Sequence, residues 1–375
     1  MLKLTRHLFC WQPDARYADY YERALYNSIL STQDPTTGMM MYFVTLGSGR
    51  WKYYNTPRDS FWCCTGTGME NHVKYGDSIY FRDEDGVFVN LFIPSELDWL
   101  DRGVKIRQET EFPEVSSTTL TVDVDSPSEF AVRIRVPGWV DGNVDVELNG
   151  EPLAQAALPA SYVEITRTWQ TGDRVEMSMP MSLTISSMPD DPTLMAFMFG
   201  PLVLAARLGG EGLTDDMVYT TENWYKFPVD EIAESAPLLT DGDDPRSILS
   251  PVAGEPLTFR TTGQETNLTF VPYHKLFGER YAVYWHVYRR DSEAHRQAVA
   301  EAEAAARFRE RVIDEVTIGD GSSERGHGMK GQGMASGIHM GRRWRHAGPN
   351  GFFSFDMKVL PNKPTDLFCT YWGSD

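Results

Sequence analysis

Cys63 and Cys64 are adjacent in the run Asp59-Ser-Phe-Trp-Cys-Cys-Thr-Gly-Thr-Gly-Met-Glu-Asn-His72. A thiol in such a place can act as a nucleophile, ligate a metal or simply pack. Thr67 and Glu70 have the spacing of a capping box, which predicts a helix that begins near Gly68 and runs through Val73, Tyr75 and Ile79 toward Tyr80. The orphan N–H groups and positive dipole end of that helix favour an anion, so a neighbouring thiol is expected to ionise more readily. Three plainer readings stand beside this one. A vicinal disulfide needs distorted backbone geometry, and the chain has only 4 cysteines. Two free thiols can pack as small apolar groups. Thr65-Gly-Thr-Gly68 is glycine-rich enough to cradle a phosphate but lacks the Gly-Lys-Ser/Thr ending of such loops.

The cysteine run, with Met1-Leu-Lys-Leu-Thr-Arg-His-Leu-Phe9 and Tyr20-Tyr-Glu-Arg-Ala-Leu-Tyr-Asn27 ahead of it, resembles the β-L-arabinofuranosidase-like enzymes of glycoside hydrolase families 127 and 146. The likeness continues more loosely through Val89-Asn-Leu-Phe-Ile-Pro-Ser95, Val136-Pro-Gly-Trp139 and Phe199-Gly-Pro-Leu-Val203, and Ser323 to Ser374 looks like an accessory module. The diagnostic part lies before Tyr80, and Phe61 and Trp62 look closer to family 146. The resemblance implies an α+β multidomain chain, the C-terminal part of an (α/α)6 barrel followed by β-sandwich domains. It also implies retaining hydrolysis that releases non-reducing-end β-L-arabinofuranose. In that reading Cys63 is the nucleophile and a zinc ligand, Cys64 a second ligand of Zn2+, and Glu22 touches the sugar. Sulfur then replaces one of the two carboxylates that retaining glycosidases ordinarily use.

The family's Glu-x-Cys ligand pair and its acid/base glutamate precede the segment that here begins at Met1, so neither is found in this chain. Two cysteines do not complete a zinc site, which takes three or four protein ligands. His72 is a conceivable donor to which the resemblance gives no role, and Cys10 and Cys369 are expected to pack. Met1 opens directly into an apolar-periodic helix with nothing to cap it, and Leu367-Phe-Cys-Thr-Tyr-Trp372 reads as a last strand without partners behind it. Both ends are therefore expected to be cut, and this piece alone to hydrolyse little or nothing.

With 41% hydrophobic and 23% charged residues the composition is that of a globular protein, and 375 residues allow several domains. A net charge of −18 argues against a nucleic-acid partner, since phosphate binding draws on clustered Lys and Arg. A carbohydrate is compatible with it. No apolar run is long enough to span a membrane. Localisation and oligomeric state stay open.

The elements that must hold these residues follow from periodicity. Tyr17 to Leu30 repeats apolar positions at helical spacing and carries Glu22. Turn chemistry at Asp34-Pro-Thr-Thr-Gly38 and Gly47-Ser-Gly-Arg50 then delivers a loop crowded with Tyr42, Trp51, Tyr53, Tyr54 and Trp62. Aromatic faces suit sugar rings as well as cores, and Tyr42 is the chosen sugar contact. From Val87 the period switches to two, through Val104, Leu120, Val132 and Val144, with a hairpin turn at Asn149-Gly150. Residues 1–85 are accordingly assigned to the barrel, 86–187 and 188–290 to two β-sandwiches, 291–313 to a helical connector and 314–375 to a truncated accessory β-sandwich. His327, His339 and His346 lie among glycines at spacings that match no metal template, and a turn-rich loop is expected there.

Two other functions compete with this one. One is a noncatalytic carbohydrate-binding or scaffold β-sandwich protein whose cysteines only pack. The other is a related glycosidase acting on a different sugar, because one scaffold hosts many specificities.

Overall fold

The apolar spacing at the start of the chain forms helix α1, Leu2–Trp11, which turns Thr5 and Phe9 inward. The structure, a computed structural model, describes residues 1–44, 46–60, 62–154, 157–221, 236–339 and 342–371. Asp14 caps helix α2, Ala15–Ala24, by accepting from the Arg16 N–H, and buries Ala18, Tyr21 and Glu22 on one face. The helical run expected to Leu30 continues as a π-helical turn, Leu25–Ile29, and a tighter turn, Leu30–Thr32. The hydroxyls of Ser31 and Thr32 bond back to the carbonyls of Asn27 and Ile29, the local competition that loosens helix ends.

Beyond these helices the alternating strands pair as their patterning requires. One sheet has four strands in the order Ser161–Trp169, Ser128–Val136, Gly86–Val89, Tyr80–Arg82. A second has six, running from Ser95–Trp99 through Val104–Glu109, Ser117–Val124, Asp173–Ser178 and Asp145–Leu148 to Glu151–Pro152. Val132, Ile134 and Val163 of the first share a single core with Ile106, Leu120, Val122 and Val175 of the second. Asn149 and Gly150 take positive φ of 55° and 81° between the last two strands, as the expected hairpin turn demands. A further ten-stranded sheet is built mainly from Leu183–Ser187 to Tyr284–Arg289, and Arg50–Trp51 adds to it by pairing with Arg280–Ala282.

The chain divides into two compact units, Met1–Arg290 and Asp291–Asp375. In the second, Ser292 caps the helix α4, Glu293–Arg311, close to the expected connector. The turn-rich loop expected over Gly321 to Gly351 is instead a short helix, α5 (Gly321–Gly326), and a long hairpin of Lys330–His339 with Arg342–Ser354. Glycine content suggested turns, yet the two strands pair across them, and at Gly337 the Trp344 indole fills the space a side chain would take. Leu367 to Tyr371 forms no strand, and Trp372, Gly373, Ser374 and Phe61 lie outside the described residues. Cys10 and Cys369 are exposed rather than packed, Cys10 on the side of α1 away from Thr5. No helix among the described residues is long and apolar enough to cross a membrane.

Candidate active site

Helix α3 spans Cys63–His72, so it begins at the cysteines themselves and not near Gly68. The capping-box reading gives way for a local reason. Thr67 bonds back to the Cys63 carbonyl at 3.5 Å, and Glu70 pairs with Lys3 of α1. Trp62 stands at the N-cap with extended backbone and no capping side-chain bond, which leaves the first-turn N–H groups beside the thiols. Two glycines in this helix oppose its formation, and tertiary contacts hold it: Thr65 is buried, and Gly68 lies against the methyl end of Met40.

The Cys63 and Cys64 sulfurs are 3.8 Å apart, free and exposed. Tyr42, half-buried, sets its ring edge-on to Trp62 at 5.6 Å. The hydrogen bond from its hydroxyl to Cys63 raises the phenol above its ordinary value. Cys64 is likewise pushed up, first by its hydrogen bond to Cys63. Tyr42, Cys63 and Cys64 thus form one mutually interacting group at the start of α3.

A zinc ion needs more than these two donors. Among the described residues no three His, Cys, Asp or Glu side chains are placed to hold a metal. His72 faces Thr32 at 3.5 Å and the Tyr75 hydroxyl, and burial lowers its pKa. The described residues therefore do not complete the zinc site that the resemblance implies.

Glu22 is placed differently from Tyr42 and the thiols. It is 1% exposed, with Oε1 2.5 Å from Arg135 Nη2 and Oε2 accepting from Trp139 Nε1 at 2.7 Å. Arg135, fully buried, also binds Asp19 and donates from Nε to the Asn90 carbonyl at 2.6 Å. The Gly138 N–H completes the cluster by donating to Asp19 at 3.0 Å. Burial pushes the Glu22 carboxyl up, and the guanidinium opposes that shift. Both Glu22 oxygens are thus occupied within the protein. Arg135 and Asp19 were not singled out in the sequence, although Val136-Pro-Gly-Trp139, which holds two of the partners, was.

Trp51, Tyr53 and Tyr54 belong to the core. Lys52 between them is buried too, donating to the Tyr273 carbonyl at 2.9 Å beneath the rings of Tyr273 and Phe277, and burial lowers it to about 7. Nothing in the periodicity of the sequence marks a lysine for such a place.

Residues 1–77 match the family described as the β-L-arabinofuranosidase GH127 catalytic domain, and residues 86–181 match the GH127 middle domain. Residues 184–287 and 307–375 match a domain and a family of unknown function. A non-reducing end β-L-arabinofuranosidase of Bifidobacterium longum subsp. longum is 26% identical over 305 residues, 69% of this chain and 44% of that one. A solved GH127 β-L-arabinofuranosidase from Geobacillus stearothermophilus T6 superposes with a TM-score of 0.57 at 22% identity, over 76% of this chain and 48% of that one. A structure titled a glycoside hydrolase gives 0.57 at 19% identity over 77% and 51%. The chain thus spans about half the length of the proteins it matches. With a catalytic-domain segment followed by a middle-domain segment, and the cysteine pair inside the first, the chain is a GH127-like protein.

Proposed function

We propose that the protein acts as a retaining glycoside hydrolase that releases non-reducing-end β-L-arabinofuranose from arabinose-containing glycans, with Cys63 as the nucleophile. The observation that carries this reading is the placement of two exposed thiols, 3.8 Å apart, in the first turn of α3, directly after Trp62, whose ring Tyr42 meets edge-on at 5.6 Å. The Cys63 sulfur attacks the anomeric carbon as the bond to the leaving oxygen breaks. That oxygen takes a proton, and water then displaces the sulfur in a second step with the same net stereochemistry. Tyr42 and the neighbouring Trp62 offer a polar tip and an aromatic face to the sugar. Glu22, expected from the resemblance to touch the sugar, is in this chain committed to Arg135 and Trp139.

The finer family features belong to the same proposal. They are the placing of α1 to α3 in an (α/α)6 barrel and Zn2+ as cofactor with Cys63 and Cys64 among its ligands. Ligands beyond these two thiols are not among the described residues. The test is hydrolysis of p-nitrophenyl β-L-arabinofuranoside by the protein, with Cys63→Ala beside it. Turnover that disappears in the variant supports the reading, and unchanged turnover overturns it.

A further inference from the structure

His327 is the C-cap residue of α5, and none of the preceding chemistry uses it. Its Nδ1 stands 2.6 Å from the Ser323 carbonyl oxygen, and its Nε2 stands 3.0 Å from Oδ1 of Asp314. Both partners are acceptors, since a backbone carbonyl and an ionised carboxylate have no hydrogen to give. A neutral imidazole carries one N–H and satisfies only one of them, whereas an imidazolium satisfies both. The pair is shielded, the His327 side chain being 18% exposed and that of Asp314 9%. These bonds join three stretches of chain. Asp314 lies between α4 and α5, and its Oδ2 accepts from the Lys358 N–H at 2.7 Å. The His327 carbonyl accepts from the Asp356 N–H at 2.7 Å. The segment ahead of α5, the end of α5 and the chain beyond the hairpin are thus fastened around one ring.

We propose that His327 is a proton-operated clasp of the second unit, holding the three stretches together while its ring is charged and releasing one of them when the ring is neutral. Loss of the proton leaves one ring nitrogen with a lone pair that faces an acceptor oxygen, so that bond is lost and the contact turns repulsive. The groups around the ring favour the held state. The Ser323 carbonyl, and then the Asp314 carboxylate, raise the ring above its ordinary 6.5, and the Lys358 charge opposes them. The Asp356 carboxylate lies against Gly328, the next residue. On α5 itself, Glu324 is taken up by Arg345 and the Gly319 N–H, Asp320 by the N–H groups of Ser322 and Ser323, and Arg325 is exposed. Below pH 6.5 the folded and unfolded chains both hold the proton, and the clasp contributes fully. As pH rises the unfolded chain gives up its proton first, and the contribution is lost as pH passes the raised value of the folded ring.

The test is the titration of the His327 ring in the full chain, followed by the NMR signal of its Cε1–H, together with amide hydrogen exchange from about pH 6 to about pH 9, corrected for the intrinsic rate. His327 is expected to titrate above 6.5, and lower in Asp314→Asn, which keeps an acceptor oxygen but not the charge. Over the same range residues 314–320 and 356–358 should lose protection severalfold, while the strand Ser128–Val136 of the first unit should not. In His327→Gln, which keeps a donor but cannot be charged, those segments should be less protected at the acid end and lose no more as pH rises. A ring that titrates at or below 6.5, or protection that falls alike in wild type and His327→Gln, would overturn the clasp. Should a variant not fold, the wild-type titration alone decides.

Discussion

Arg135 in the strand Ser128–Val136 places Nη2 2.5 Å from Oε1 of Glu22 in α2, and neither side chain is open to solvent. Such a pair is costly to break, because removing one partner leaves the other charged and dry. Glu22→Gln is expected to destabilise the protein by about 3 kcal/mol, and Arg135→Met by more, since it strands Asp19 as well. Urea denaturation measures both. Were Glu22 simply waiting for substrate, its exchange for glutamine would leave the midpoint where it was.

Gly138 sits where a Cβ would stand 2.7 Å from the Asp19 carboxylate that its own N–H holds. Gly138→Ala is expected to displace that carboxylate from Arg135 and cost about 1–3 kcal/mol. The same change at Gly142, with nothing within 4 Å but a positive φ of 88°, tests backbone strain without contact and should cost less. Thermal unfolding of the two variants separates the effects.

His274 predicts an acid-side loss of stability. Burial first, then the charges of Lys275 and Lys52, push it from the ordinary 6.5 to about 4, and its buried Nδ1 has no partner. Between these values the unfolded chain binds the proton and the folded one does not. Stability from this residue is therefore complete above pH 6.5 and drains away as pH falls toward 4, by about 3 kcal/mol in total. Denaturation midpoints taken across that window should fall in the wild type, and His274→Gln should flatten the slope. An equal slope in both would assign the loss to other groups.

Tyr42 interacts with both thiols, so Tyr42→Phe is expected to change the rate at which iodoacetamide alkylates Cys63 near neutral pH. Mass spectrometry of the labelled peptide reports which thiol has reacted. Labelling that proceeds at the same rate in wild type and variant would remove the phenol from the surroundings of Cys63.

Much of the β architecture is legible because burial on one face imposes alternation: Val104, Ile106 and Gln108 turn inward along one strand just as their spacing indicates. The cysteine pair was legible as a candidate centre and Tyr42 as a candidate sugar contact, and the structure sets Tyr42 against Trp62, next to the pair. What escaped notice shares one physical character. Arg135 finds Glu22 across 113 residues, and Lys52 finds Tyr273 across 221, distances over which no local period carries information. The start of α3 escaped for the opposite reason: a locally valid cap at Thr67 lost to tertiary contacts that extend the helix back to Cys63. The hairpin of the second unit was hidden by its glycines, whose role appears only once Trp344 is seen lying over Gly337.

The cluster of Asp19, Glu22 and Arg135 also sets the conditions under which the first unit can assemble. Its two anions belong to the segment matched by the catalytic domain and its cation to the segment matched by the middle domain. Severing the polypeptide anywhere between residues 77 and 86 would give two partners, each obliged to hide ionised groups without a counter-ion. Helix α2 and the strand Ser128–Val136 are consequently locked to each other by a buried charge cluster and are expected to unfold together.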